Sequence, residues 1–187
     1  MSIVRALPIL VGLAVVAVLL GMAVVGSFLP IEHVVTREVA LDRPADEVWE
    51  LITDFERYPE WVPGLESMEP LIGGRDARLW RQSGQGAQLT IEVVERVPPR
   101  RLVTRPADEG LPYSGSWTHE VVPTPGGCRL VVTERGRVEG RLGRFFSRFV
   151  FGSHHAVDAF LRAAADRGGT DSDLEPAQPD SGHAGSR

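Results

Sequence analysis

From Leu7 to Leu29 the chain reads LPILVGLAVVAVLLGMAVVGSFL, 23 residues without a charged side chain. At about 1.5 Å rise per residue, such a run in helical form crosses a hydrocarbon layer roughly 30 Å thick. It withdraws one segment from any water-soluble core and leaves the rest to fold by itself. A cleaved secretory signal is the competing reading. Its apolar region is usually roughly 7–15 residues long and ends in a small-x-small site, of which Val24-Val25-Gly26 is a poor version. Three glycines and many valines suit a membrane span better than a buried soluble helix. Residues 1–30 are therefore expected to be a single-pass anchor. Arg5 and the terminal amine stand on one side, against Arg37, Arg43 and the titratable His33 on the other, so the positive-inside rule is nearly balanced. The short head beside Arg5 favours an N-terminus in the cytoplasm, which puts the remaining domain outside it.

Past Pro30 the pattern changes. HVVTREVALD, His33–Asp42, alternates Val35, Arg37, Val39 and Leu41 against Val34, Thr36, Glu38 and Ala40, the period of a strand. Asp42 is a plausible N-cap, and Ala45, Val48, Trp49 and Ile52 then recur at helical spacing, which predicts a short helix over Pro44–Thr53. A second short helical segment holds Phe55, Tyr58 and Trp61, broken by Pro59 and Pro63. Six further strand-like runs follow: Leu65–Ile72, Ala77–Gln82, Ala87–Val97, Arg101–Arg105, Gly115–Val122 and Cys128–Val138. The last two are joined by PTPGG, where proline fixes φ and glycine supplies positive φ. Short connections of this kind predict an antiparallel meander.

After Gly140 the period becomes helical. Leu142, Phe145, Phe146, Phe149, Ser153, Ala156, Val157, Phe160 and Ala164 share one face. Arg144, Arg148, His155, Asp158 and Arg162 occupy much of the other. This predicts one long amphipathic helix from Leu142 to about Arg167. Residues 168–187 hold almost nothing apolar and are expected to be a disordered tail, leaving residues 31–167 as the folded domain. The expected class is α+β: a curved antiparallel sheet of about seven strands around a long C-terminal helix, with two short helices after the first strand.

Composition narrows the function. The net charge is −5 and all 20 basic side chains are arginine, unlike the strongly basic domains that bind nucleic acid. The one cysteine, Cys128, allows neither a disulfide framework nor a cysteine metal site. His154 and His155 point about 100° apart on a helix and cannot chelate one metal together. No nucleophile motif, phosphate-cradling loop or metal spacing is present, so no metal and no cofactor are expected. The oligomeric state is left open.

The stretch REVALDRPADEVWELITDFERYPEWVPGLESMEPL resembles the opening of the START and polyketide-cyclase helix-grip superfamily, often labelled SRPBCC. The phrases P-x-x-x-V-W and D-x-x-x-Y-P-x-W recur there after a strand. GSWTHEVVPTPGGCRLVVTERGRV is similar to that superfamily's last hairpin, and RFFSRFVFG with the residues after it resembles its C-terminal helix. The resemblance covers about Val34–Asp166. It implies a cavity between sheet and long helix that holds a hydrophobic small molecule or lipid. It also implies that Phe55, Tyr58 and Trp61 line or gate the mouth, unless they merely plug the barrel end. A cyclase- or dehydratase-like enzyme is the alternative, and a scaffold filled by its own rings is a third reading.

Candidate residues follow from parity. Trp117, His119 and Val121 share one strand face, which makes Trp117 a ligand contact and His119 the best-placed titratable group if that face is interior. A surface or satisfied strand histidine is the bland alternative. Glu134 points with Leu130 and Val132 and so needs a partner, for which Arg81 is a candidate. Asp54 is expected to cap the short helix it precedes, with a catalytic acid role as its alternative. Phe149 lies on the apolar helix face, and Gly152 costs roughly 1 kcal/mol in a helix unless a ligand or strand needs the space. Arg141, Arg144 and Arg148 crowd one region, either as a solvated face or as contacts to anionic head groups.

Overall fold

The computed structural model describes residues 3–84, 86–146, 148–149, 155–168 and 175–176. The chain opens with α1 (Ile3–Ser27). Within it Ile9–Ser27 has a mean hydropathy of 2.8 and is almost wholly unburied, so it is long and apolar enough to cross a membrane, a property that signal sequences share. After β1 (Glu32–Leu41) come α2 (Ala45–Thr53) and a 3₁₀ helix (Phe55–Glu60). The sheet continues with β2 (Ser67–Pro70), β3 (Leu79–Gly84), β4 (Ala87–Val97), β5 (Arg101–Pro106), β6 (Tyr113–Thr124) and β7 (Gly127–Val138). Then follow α3 (Arg141–Phe146), α4 (His155–Gly168) and the two-residue β8 (Glu175–Pro176).

All pairings are antiparallel, in the order β2-β3-β4-β5-β6-β7-β1-β8. The expected meander is present, with β1 closing on β7. The β6–β7 turn has Pro125 followed by Gly126 at φ 99°, the left-handed position that glycine adopts without steric cost. A bulge between Val93 and Glu95 bends β4, and bulges raise local twist. The sheet curves over α4, which packs on β1 and β7. Alternation decides the core: Val35, Val39 and Leu41 of β1 are buried, as are Leu130 and Val132 of β7, against Val157, Leu161, Ala164 and Ala165 of α4. This is the helix grip that the sequence led us to expect.

Three local expectations need correction. Pro44, not Asp42, occupies the N-cap position of α2, and no side chain caps it. Asp54 sits at the N-cap of the 3₁₀ helix but makes no capping bond; its carboxylate lies 3.8 Å from Arg75 instead. Arg81 is exposed and is not the partner of Glu134. A 3₁₀ turn (Gly74–Asp76) delays β3 until Leu79, so parity counted from Ala77 does not carry over and Trp80 takes the interior place.

The helical run expected from Leu142 to about Arg167 is described as α3 and α4, and the two have different neighbours. α3 packs on α1 and the end of β7, whereas α4 packs on the sheet. Leu142 and Phe149 are consequently exposed while Leu161 is fully buried. Asp158, assigned by spacing to the outer face, turns toward β1 and lies 3.4 Å from Arg37. Gly152, Ser153 and His154 lie outside the described residues, as does all of the tail except Glu175–Pro176, which pairs with Arg37 and Glu38 of β1.

Candidate functional site

Between the sheet and α4 is a chamber of about 680 Å³. Its walls come from the 3₁₀ helix and the loop after it (Phe55, Tyr58, Val62, Leu65), from the sheet (Met68, Leu89, Ile91, Thr104, Trp117, His119, Val132) and from α4 (Ala156, Val157, Phe160). Among its described lining residues there is no carboxylate and no guanidinium. A second chamber of about 810 Å³, the outer chamber, reaches toward α3 at Gly143 and Phe146 and shares Gln82, Leu89, Tyr113, Trp117 and Ala156 with the first. The outer chamber carries charge: Glu134, Arg135 and Arg137 are in its walls, and His33 lines it beside them. The inner space has no charged group among its described lining residues and the outer one has several, an arrangement that suits an amphipathic molecule.

A chain of rings forms one wall. Phe55 meets Trp80 and Tyr58 edge to face, each at 5.1 Å between centroids, and Tyr58 meets Trp61 at 5.0 Å. Phe160 of α4 continues the chain, 5.1 Å from Trp61 and 5.1 Å from His119. Phe55 is deeply buried and so is both plug and wall. Tyr58 O–H donates to the Ile52 carbonyl at 2.7 Å, and burial pushes its pKa well up, so it stays a neutral donor. Trp61 lies behind Phe160 and lines a shallow surface groove with Glu60 and Arg167, not the chamber.

His119 is 8% exposed. Strand parity carries its ring inward with Trp117 and Val121, and burial depresses its pKa to about 4, with a hydrogen bond to the Leu102 backbone opposing the shift. The imidazole is therefore neutral near pH 7, and its Nδ1 has no hydrogen-bond partner. That nitrogen has almost no accessible surface of its own, so His119 lines the chamber by other atoms.

The other candidates are not brought to it. Glu134 belongs to the outer chamber and lies 3.3 Å from His33 Nε2. Asp54 lines neither chamber. Phe149 is 59% exposed and packs on Phe145 at 5.0 Å. No group of three or more metal-ligating side chains occurs among the described residues. Neutral His119 could exchange one proton with a bound substrate; the other titratable groups among the described lining residues are the phenols of Tyr58 and Tyr113.

Sequence reasoning missed Phe160, Tyr113 and Thr104 as lining residues. Tyr113 was available, because Tyr113, Gly115, Trp117 and His119 share one parity along β6. Thr104 carried no comparable signal.

A family model described as polyketide cyclase / dehydrase and lipid transport matches residues 32–168. Among solved structures, the Zhui aromatase/cyclase from Streptomyces sp. R1128 superposes with a TM-score of 0.62 at 18% identity, over 74% of this chain and 94% of that one. A norcoclaurine synthase point mutant from Thalictrum flavum, in complex with a transition-state analogue, gives 0.60 at 15% identity over 73% and 94%. A START superfamily protein from Mycobacterium smegmatis gives 0.53 at 18% over 74% and 97%. At these identities the likeness is one of fold. A comparison with curated proteins found no match.

Proposed function

The chain belongs to the polyketide cyclase / dehydrase and lipid transport family, and from that premise we propose that it is a membrane-anchored binding protein for an amphipathic hydrophobic molecule or lipid. The apolar body occupies the inner chamber and the polar end reaches the charged groups of the outer chamber. The observation that carries this reading is the inner chamber of about 680 Å³ with no charged side chain among its described lining residues. Burial of apolar ligand surface would supply the affinity, at roughly 25 cal/mol per Å² before association costs. Phe55, Tyr58 and Trp117 are the proposed ligand contacts, with Phe160 added and Trp61 and Phe149 given supporting places outside the chamber. α1 holds the domain to the bilayer, with the domain on the extracytoplasmic side.

The experiment is native mass spectrometry of the full chain released from gentle detergent, followed by displacement of a dansyl fatty acid. A copurifying apolar species and saturable displacement are expected. A clean apo mass together with no displacement would remove the proposal. An enzyme of cyclase or dehydratase type is the second reading, favoured by the neutral His119 imidazole in the chamber wall. It requires turnover that is lost in His119→Gln while probe binding persists.

A further inference from the structure

The outer chamber lies at the end of the sheet nearest α1. Its walls include His33 at the start of β1, Gly136 and Val138 at the end of β7, and Gly143 and Phe146 of α3. Only Phe28–Ile31 separate α1 from β1, so less than about 20 Å of extended chain joins the two. That connector is tied down. Arg144 Nη1 donates to the Leu29 carbonyl at 3.1 Å, and Val138 N–H donates to the Ile31 carbonyl at 2.9 Å. Gly26 is buried, and a Cβ there would run into the Arg141 carbonyl oxygen, so α1 and α3 touch through backbone. The end of α1, the connector, α3 and the chamber rim thus form one packed unit.

The surface of that unit is amphipathic. Phe28 is 85% exposed, and Ile31, Leu142 and Phe149 are exposed as well. Arg141, next to Leu142 in the chain, and Arg148, next to Phe149, are exposed too. Arg144 and Arg148 line a small recess of about 170 Å³ with Leu29, Pro30 and Glu32, where Arg144 Nε has no hydrogen-bond partner. The acids nearby, Glu32 and Glu139, are both engaged by Arg137. Apolar rings mixed with arginines at the end of a spanning helix suit the boundary between anionic head groups and acyl chains.

Building on the binding function proposed above, we infer that α3 lies on the surface of the bilayer that α1 crosses, its arginines against anionic phosphate head groups, and that the ligand enters the cavity from this leaflet past Gly143 and Phe146. The outer chamber is then a vestibule between membrane and binding site. Its charged walls receive the polar end of an amphiphile whose tail leads into the inner chamber.

The test uses the full chain in nanodiscs of phosphatidylcholine, with or without about 30 mol% phosphatidylglycerol. An NBD-labelled phospholipid in the disc reports loading, and a dansyl fatty acid added from water, with empty discs as blank, reports the cavity itself. In anionic discs the double variant Arg141→Gln/Arg148→Gln should load about fivefold more slowly than the native chain, with the gap closing in neutral discs and at about 0.5 M salt. It should bind the aqueous probe within about twofold of native. A second readout is Phe149→Trp, whose added emission over the native chain should be quenched by shallowly brominated lipid. Equal loading from both lipids, with that emission unquenched, would overturn the inference while leaving the cavity intact. Absence of aqueous probe binding in the native chain would overturn the binding function and this inference with it.

Discussion

The imidazole of His119 on β6 meets the ring of Phe160 on α4 with centroids 5.1 Å apart and planes at 61°. This contact bridges the sheet and the helix across the chamber, and the same phenyl ring also touches Tyr58 and Trp61. Phe160→Ala should therefore loosen three walls at once. Because Phe160 is only partly buried, the expected cost is about 2 kcal/mol, below that of a fully buried phenylalanine. Urea denaturation measures it, and a bulkier dansyl probe should bind relatively better to the variant.

The depressed pKa of His119 fixes the sign of a pH effect. Its value falls from 6.5 in the unfolded chain to about 4 in the fold. Between those two values the unfolded chain binds a proton that the native state refuses. The contribution of a neutral His119 is thus fully present above about pH 6.5, declines as pH drops through the window and levels off below about 4, amounting to on the order of 3 kcal/mol. The difference in urea stability between the native chain and His119→Gln should shift by that amount across the window. Parallel curves for the two chains would show that the ring is not held neutral.

Tyr58→Phe tests one bond. Ile52 lies in the last turn of α2, where carbonyls lack helical partners, and the Tyr58 hydroxyl supplies one. Its loss leaves a buried acceptor unsatisfied, so the melt should show a loss of about 1–2 kcal/mol. Probe affinity should hold within about twofold, because the ring edge facing the chamber is retained.

Two paired glycines on β6 and β7 should behave differently. A Cβ at Gly115 would stand 2.2 Å from the Arg135 carbonyl oxygen, which is backbone, so Gly115→Ala must shift a strand and should cost about 2–3 kcal/mol. The three atoms nearest a Cβ at Gly136 all belong to the His33 ring, a side chain that can rotate away. Gly136→Ala should melt close to native yet abolish the His33–Glu134 coupling. A double-mutant cycle with Glu134→Gln reads that loss.

The sheet was legible because alternation is a local signal. Ala87–Val97 is bounded as β4 on its pattern alone, and the β6 parity that points His119 inward with Trp117 holds in three dimensions. What the pattern could not carry was anything set by a distant neighbour. The partner of Glu134 is His33, which stands opposite Gly136 once β1 pairs with β7, and no spacing near Glu134 announces it. Leu161 is fully buried though it did not enter the apolar stripe drawn from Leu142. That stripe assumed one axis and one neighbour for α3 and α4, whereas α3 answers to α1. Trp61 has the composition of a gate residue but stands behind Phe160, a position fixed by α4 and not by its own segment.

The pairing of β1 with β7 has a further consequence for how the chain is made. Glu32 sits opposite Arg137, 105 positions later. At a synthesis rate of about 5–20 residues per second, β1 leaves the ribosome roughly 5–20 s before its mate exists. During that wait Val35, Val39 and Leu41 have no sheet to join, and closing so long a loop is slow even afterwards. A nascent chain arrested before β7 should therefore remain sensitive to protease and bound to chaperones, with protection arriving only when the last hairpin emerges.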